Sequence, residues 1–225
     1  MRRWMAVVGG AMVILVSQMI AQADLGSKLT FLAWTQSVVD RRLAIGAEES
    51  SLIEGLHLFS RSEPIDWSPG FPLIVKDVES APEAVPLLIE IPDSVDRPLV
   101  ILRPSESGPL GLQALVVEDS PASFPWGSFR IFNATARPLD LVTRSQLVKL
   151  QPGWEPTDFS LSGDQNESVV ITIEDSNRER RIVYSTIWTA GPDTRRLVFI
   201  LPSQNPRLGL IELRVIPEFS DQGKS

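Results

Sequence analysis

Along most of the chain apolar residues recur with a period of two rather than 3.6, the pattern of strands with one buried face. In SVVITIED, from Ser168, the pattern puts Val169, Ile171 and Ile173 on one face. In RIVYSTIW it puts Ile182, Tyr184, Thr186 and Trp188 on one face, and the polar DSNRE between the two runs predicts an antiparallel hairpin. RRLVFILP is apolar without interruption from Leu197 to Leu201, as expected of a strand covered on both faces. GLIELRVIPE alternates, with Ile211, Leu213 and Val215 set against Glu212 and Arg214, which predicts one face in solvent. Upstream, FPLIVKD, PLLIEIP, PLVILRP and LQALVVE read as strands between proline-rich breaks. Turn signals spaced by about ten residues predict an all-β chain folded as an antiparallel β-sandwich. Only Gln36 to Gly46 offers a short helical stripe, and a strand from Arg42 fits that stretch equally well.

The amino terminus departs from this pattern. Arg2 and Arg3 precede an apolar run from Ala6 to Val16, and Ala21-Gln22-Ala23 follows, the layout of a secretory signal peptide (1–23) cleaved after Ala23. The run is shorter than the ~20 residues of a bilayer crossing, and Gly9, Gly10, Ser17 and Gln18 interrupt it. The expected mature chain, 24–225, forms one continuous sandwich in this reading, because no internal repeat is convincing. Division into 24–119 and 120–225 is the alternative, with the polar stretches at 105–108 and 119–123 as boundary candidates. All 18 prolines fall in the mature part, where they punctuate strand ends.

Composition narrows the chemistry. Loss of Arg2 and Arg3 takes the formal charge from −7 to −9, so a basic footprint for nucleic acid is absent. The chain has no cysteine, which removes disulfides and thiolate ligands and favours a bacterial periplasmic or secreted location. His57, the single histidine, sits in GLHLFS on the face opposite Leu56 and Leu58 and would have to carry any imidazole catalysis alone. No pair of acids is singled out by spacing: Glu118 with Asp119, and Glu174 with Asp175, read as solvated strand ends. Asp164, Asn166 and Glu167 cluster in SGDQNES but lack a calcium-loop pattern. The basic RERR (178–181), with Arg195 and Arg196, reads as solvated hairpin ends. No catalytic residue, metal ligand or cofactor motif is therefore assigned, and the partner is left as an unknown protein or glycan.

Turn chemistry supplies the candidate site. Trp67 stands in DWSPG, Trp126 in FPWG and Trp154 in PGWEP, each close to a proline and a glycine. Displayed on loops, the three rings would accept a sugar or a partner's apolar group; folded back, they would cover strand ends. Pro125 and Gly127 bracket a turn into a strand bearing Phe129 and Ile131, Asn133 ends that strand, and Pro152-Gly153 fits the centre of a type II turn. The order FPWGSFRIFN, LQPG, RIVYSTIW and RRLVFIL resembles a group of exported bacterial all-β, sandwich-like proteins of unknown function. That resemblance, confined to 71–216, implies the fold and no activity. The expected function is an exported, non-catalytic binding or scaffold protein of the periplasm or envelope. A carbohydrate-binding or carbohydrate-active protein built on the loop tryptophans is the alternative, and a partner that lends or accepts a strand at a sheet edge is a third.

Overall fold

A computed structural model describes residues 27–47, 51–161, 166–174, 179–205, 207 and 209–220. The expected signal segment lies outside them, as do Asp164, Asp175 and Arg178. The first half contains β1 (Ser27–Ala33), α1 (Gln36–Val39), β2 (Leu43–Ile45), β3 (Ser51–Leu52), β4 (Ile65–Trp67), β5 (Leu73–Asp77), β6 (Leu87–Ile89), β7 (Pro98–Pro104) and β8 (Leu112–Glu118). The second contains β9 (Ser128–Asn133), β10 (Leu139–Val142), β11 (Leu147–Leu150), β12 (Thr157–Ser160), β13 (Asn166–Glu174), β14 (Arg180–Thr189), β15 (Thr194–Pro202) and β16 (Ile211–Phe219). The ambiguous stretch at 36–46 resolves into both elements, a single helical turn and then β2. Among the described residues no helix is long and apolar enough to cross a membrane.

Strand pairing closes within each half rather than running through one continuous sandwich. The first half forms sheets β4-β1-β7-β8 and β3-β2-β5-β6; the second forms β12-β9-β15-β16 and β11-β10-β13-β14. The orders are identical when each strand number is advanced by eight, and none of the four sheets closes into a barrel. Even the unusual parallel pair recurs, β1 with β7 and β9 with β15. Leu99, Val100, Ile101 and Leu102 face β1 in the register with which Leu197, Val198, Phe199 and Ile200 face β9. The chain is thus an internal duplication of one eight-stranded unit. Its sequence trace is short: PLVILRPSESGPLGL (98–112) and RLVFILPSQNPRLGL (196–210) share seven of fifteen positions.

Burial shows how the units stack. Leu29, Phe31, Val100 and Leu102 meet Leu43, Ile45, Val75 and Ile89 in the first core. Phe129, Ile131, Val198 and Ile200 meet Leu139, Leu141, Val169 and Ile171 in the second. A third apolar layer joins the halves: Leu32, Leu99, Ile101 and Val117 pack against Phe132, Leu197, Phe199 and Ile216, with Phe124 of the connecting segment. The result is four sheets in a stack. The two inner sheets are covered on both faces, which is why β7 and β15 are apolar nearly throughout. It also corrects the reading of β16: the face bearing Arg214 and Ile216 looks not into solvent but onto the first unit.

The hairpin read at 168–188 is present as β13–β14. A register shift between Ile171 and Thr172 leaves Val183 as an extra residue, so Tyr184 and Trp188 pack inward with Val183 while Ile182 turns out and is 62% exposed. Gly153 has the positive φ that favours glycine, but at +130° it lies in a bend beside the Asn133–Pro152 bridge rather than at the roughly +80° of a type II turn. The segment 105–108, read as a boundary candidate, is the β7–β8 turn, and there a Cβ on Gly108 would overlap the Leu112 carbonyl oxygen. Gly108→Ala is expected to destabilise by about 1–3 kcal/mol through this overpacking, read as a lower denaturation midpoint. An unchanged midpoint would mean that the turn relaxes freely.

Candidate functional site

The three turn tryptophans do not share a face. Trp67 is buried in the first core at the end of β4. Trp154, partly covered, lies in the layer between the units, where its ring meets Trp34 edge-on at 5.1 Å and Phe199 at 6.4 Å. Trp126, also partly exposed on a loop, has its ring 4.8 Å from the Arg195 guanidinium and borders a shallow cleft with Leu161 and Pro192. His57 lies in the loop between β3 and β4, exposed, its Nδ1 accepting a hydrogen bond from the Phe59 amide at 3.1 Å.

The densest chemistry sits where the units meet. Arg195 reads from the sequence as a solvated hairpin end, yet its side chain is completely buried. Its Nε and Nη2 donate to Glu218 at 2.9 and 2.7 Å, Nη2 also to the Asp119 carbonyl at 2.8 Å, and Nη1 to the Phe124 carbonyl at 2.9 Å. Asp119, expected in solvent, is 1% exposed and takes a two-pronged pair from Arg61 at 2.6 and 2.8 Å; Arg61 reaches Glu218 at 3.0 Å. Arg130 holds Asp158 in the same two-pronged way at 2.7 Å and donates to the Glu118 and Ser123 carbonyls. Phe124 lies between the guanidinium groups of Arg130 and Arg195, at 4.8 and 5.0 Å. Burial opposes the charge of Arg61, but the hydrogen bond and charge of Asp119, with the charge of Glu218, hold its pKa above the ordinary value. Every charge that converges here is satisfied by another, so the cluster works as a weld between the units. It is not poised as an acid, base or nucleophile.

A second seam runs alongside. Arg103 of the first unit covers the ring of Trp154 in the second at 4.1 Å, and Arg214 of the second covers Trp34 of the first at 4.5 Å while donating to the Trp34 carbonyl at 2.8 Å. Burial lowers the pKa of both guanidinium groups, and for Arg214 the charge of Glu212 works the other way. Trp154 is therefore committed to structure.

Clefts open on the corresponding sides of both units, about 490 Å³ beside β6 and β8 in the first and a smaller one between β14 and β16 in the second. There a slot of about 300 Å³ opens between the sheets, lined by Leu139, Ile173, Val183, Pro202, Leu210 and Ile211. Beside it a shallower cleft runs past Ile187, Trp188, Arg196 and Val215. Burial lowers the Arg196 pKa, and its Nη1 has no hydrogen-bond partner among the described residues. Strand β14 forms the rim: ten residues, no proline, and pairing along one edge only among the described residues, with Ile182 and Ile187 62% and 66% exposed. The duplication supplies an internal control. The corresponding strand of the first unit, β6, has three residues between Pro86 and Pro92. Shortness and flanking proline blunt β6; β14 has neither, and carries only the bulge at Val183 and the charges of Arg180 and Arg181. The periodicity of RIVYSTIW points to the strand, but its edge position depends on the sheet order and so escapes a reading of the sequence. Among the described residues no three His, Cys, Asp or Glu side chains group as metal ligands would.

Fold and site together define an all-β protein of two like-folded sandwiches, welded back to back, in which β14 is the longest edge strand among the described residues. Neither the protein-family models nor the curated proteins compared with the chain yielded a match.

Proposed function

We propose that this chain is an exported, non-catalytic binding and scaffold protein of the bacterial periplasm or envelope that engages its partner by strand addition at β14. The observation that carries the reading is the contrast between the duplicated strands, β6 short and flanked by prolines, β14 long, proline-free and bearing two outward isoleucines. An incoming strand would find backbone donors and acceptors along the edge and apolar pockets beside it, the usual physics of β-augmentation. The welded stack beneath keeps that edge fixed, so little ordering entropy is lost on docking. Support for export comes from the basic, apolar and Ala-x-Ala order of residues 2–23.

A photo-reactive residue at Ile187 tests this in the exported chain. We expect discrete crosslinks from Ile187 in the periplasmic or secreted fraction and none from a control at Leu88, the exposed residue of β6. Retention of the chain in the cytoplasm would defeat the export part of the reading, and equal crosslinking at both positions would defeat the edge.

A further inference from the structure

We infer that the strand added to β14 is the β14 of a second copy of this chain. The inference rests on the proposed edge docking and names its occupant. In an antiparallel self-pairing, residues brought opposite each other must present the same face. In a regular strand Ile182 and Ile187, five residues apart, would point to opposite sides. The extra residue Val183 cancels that difference, and both point outward. Centred on Ser185, the two copies then match along their whole length: Ile182 lies beside the partner's Ile187, and Ile187 beside the partner's Ile182. Val183 and Tyr184 together oppose the partner's Thr186, the two-against-one count of a bulge.

Charge fits the same register. Arg180 and Arg181 fall opposite the partner's Thr189 and the partner's Trp188, so no like charges meet across the new seam. Four exposed isoleucines close over a central serine pair, and the four-stranded sheet becomes one of eight strands. A two-fold axis between Ser185 and the partner's Ser185 makes the contact closed, so it stops at two copies rather than growing into a filament.

The cysteine-free chain allows a direct test. Paired antiparallel Cα atoms lie about 4.5–5.5 Å apart, within disulfide reach. We expect the wild type to sediment as a dimer at micromolar concentration and Ile182→Lys/Ile187→Lys to sediment as a folded monomer with an unchanged far-ultraviolet dichroism spectrum. Ser185→Cys should oxidise to a covalent dimer while Val85→Cys, exposed on the first unit, remains monomeric. A monomeric wild type, or Ser185→Cys crosslinking no faster than Val85→Cys, overturns the self-pairing. If that monomer still protects its β14 amides from hydrogen exchange on adding a synthetic alternating Val-Thr peptide, edge docking stands with a different occupant. If it does not, edge docking falls as well.

Discussion

Arg195→Ala is expected to lower the unfolding free energy by about 3–5 kcal/mol, because it strips the cation from Glu218 and Asp119 and leaves both in the junction with reduced compensation. Two main-chain carbonyls, those of Asp119 and Phe124, lose their donors at the same time, and the segment joining the units comes loose. Arg195→Lys should recover only part of the loss, since an ammonium group cannot donate in two directions from a plane. Urea titration of the purified chain gives the measurement. A change below about 1 kcal/mol, the scale of an exposed ion pair, would mean that solvent reaches the cluster and that it holds nothing together.

Phe199→Ala should cost about 3–5 kcal/mol as well, by a different route. Phe199 is fully buried in the layer between the units, stacked on Phe132 at 4.9 Å and meeting Trp34 edge-on at 5.2 Å. Removing its ring empties the centre of that layer and leaves Trp34 and Trp154 without their common neighbour. For a chain of this size the loss corresponds to a fall in Tm of roughly 10 °C. Tryptophan fluorescence should shift to longer wavelength as well, as water reaches the two indoles. A variant that melts as the wild type does would show that the units hold together without this layer.

The physical reach of the sequence is visible in these residues. Strand positions and the β13–β14 hairpin were legible, because alternation depends only on a residue's own neighbours. Alternation does not say what covers the second face. Arg214 and Ile216 therefore read as the wet side of a strand, when another sandwich lies over them. Arg195 and Asp119 look solvated in the sequence for the same reason: each stands beside a turn, and the groups that neutralise them come from segments far away in the chain, Arg61 and Glu218 among them. One signal was available. Set at the offset of the 98–112 and 196–210 match, Arg97 falls on Arg195, and by strand register Asp119 falls on Glu218. A cation beside the start of the seventh strand and an acid beside the end of the eighth thus recur in both units. Those four residues converge at the junction, with Arg97 3.9 Å from Glu218. The duplication was hidden by short strands and unequal loops elsewhere. The candidate site was legible as a strand, through RIVYSTIW, and not as an edge.

The parallel pairing of β1 with β7, repeated by β9 with β15, sets the order in which the chain can be completed. As the polypeptide emerges from the ribosome, β1 must wait, one side bare, until Pro98–Pro104 has been made, and β9 waits in turn for Thr194–Pro202. Such distant closure is slow. The first unit can therefore close about half-way through synthesis, and the second only when the chain is nearly finished.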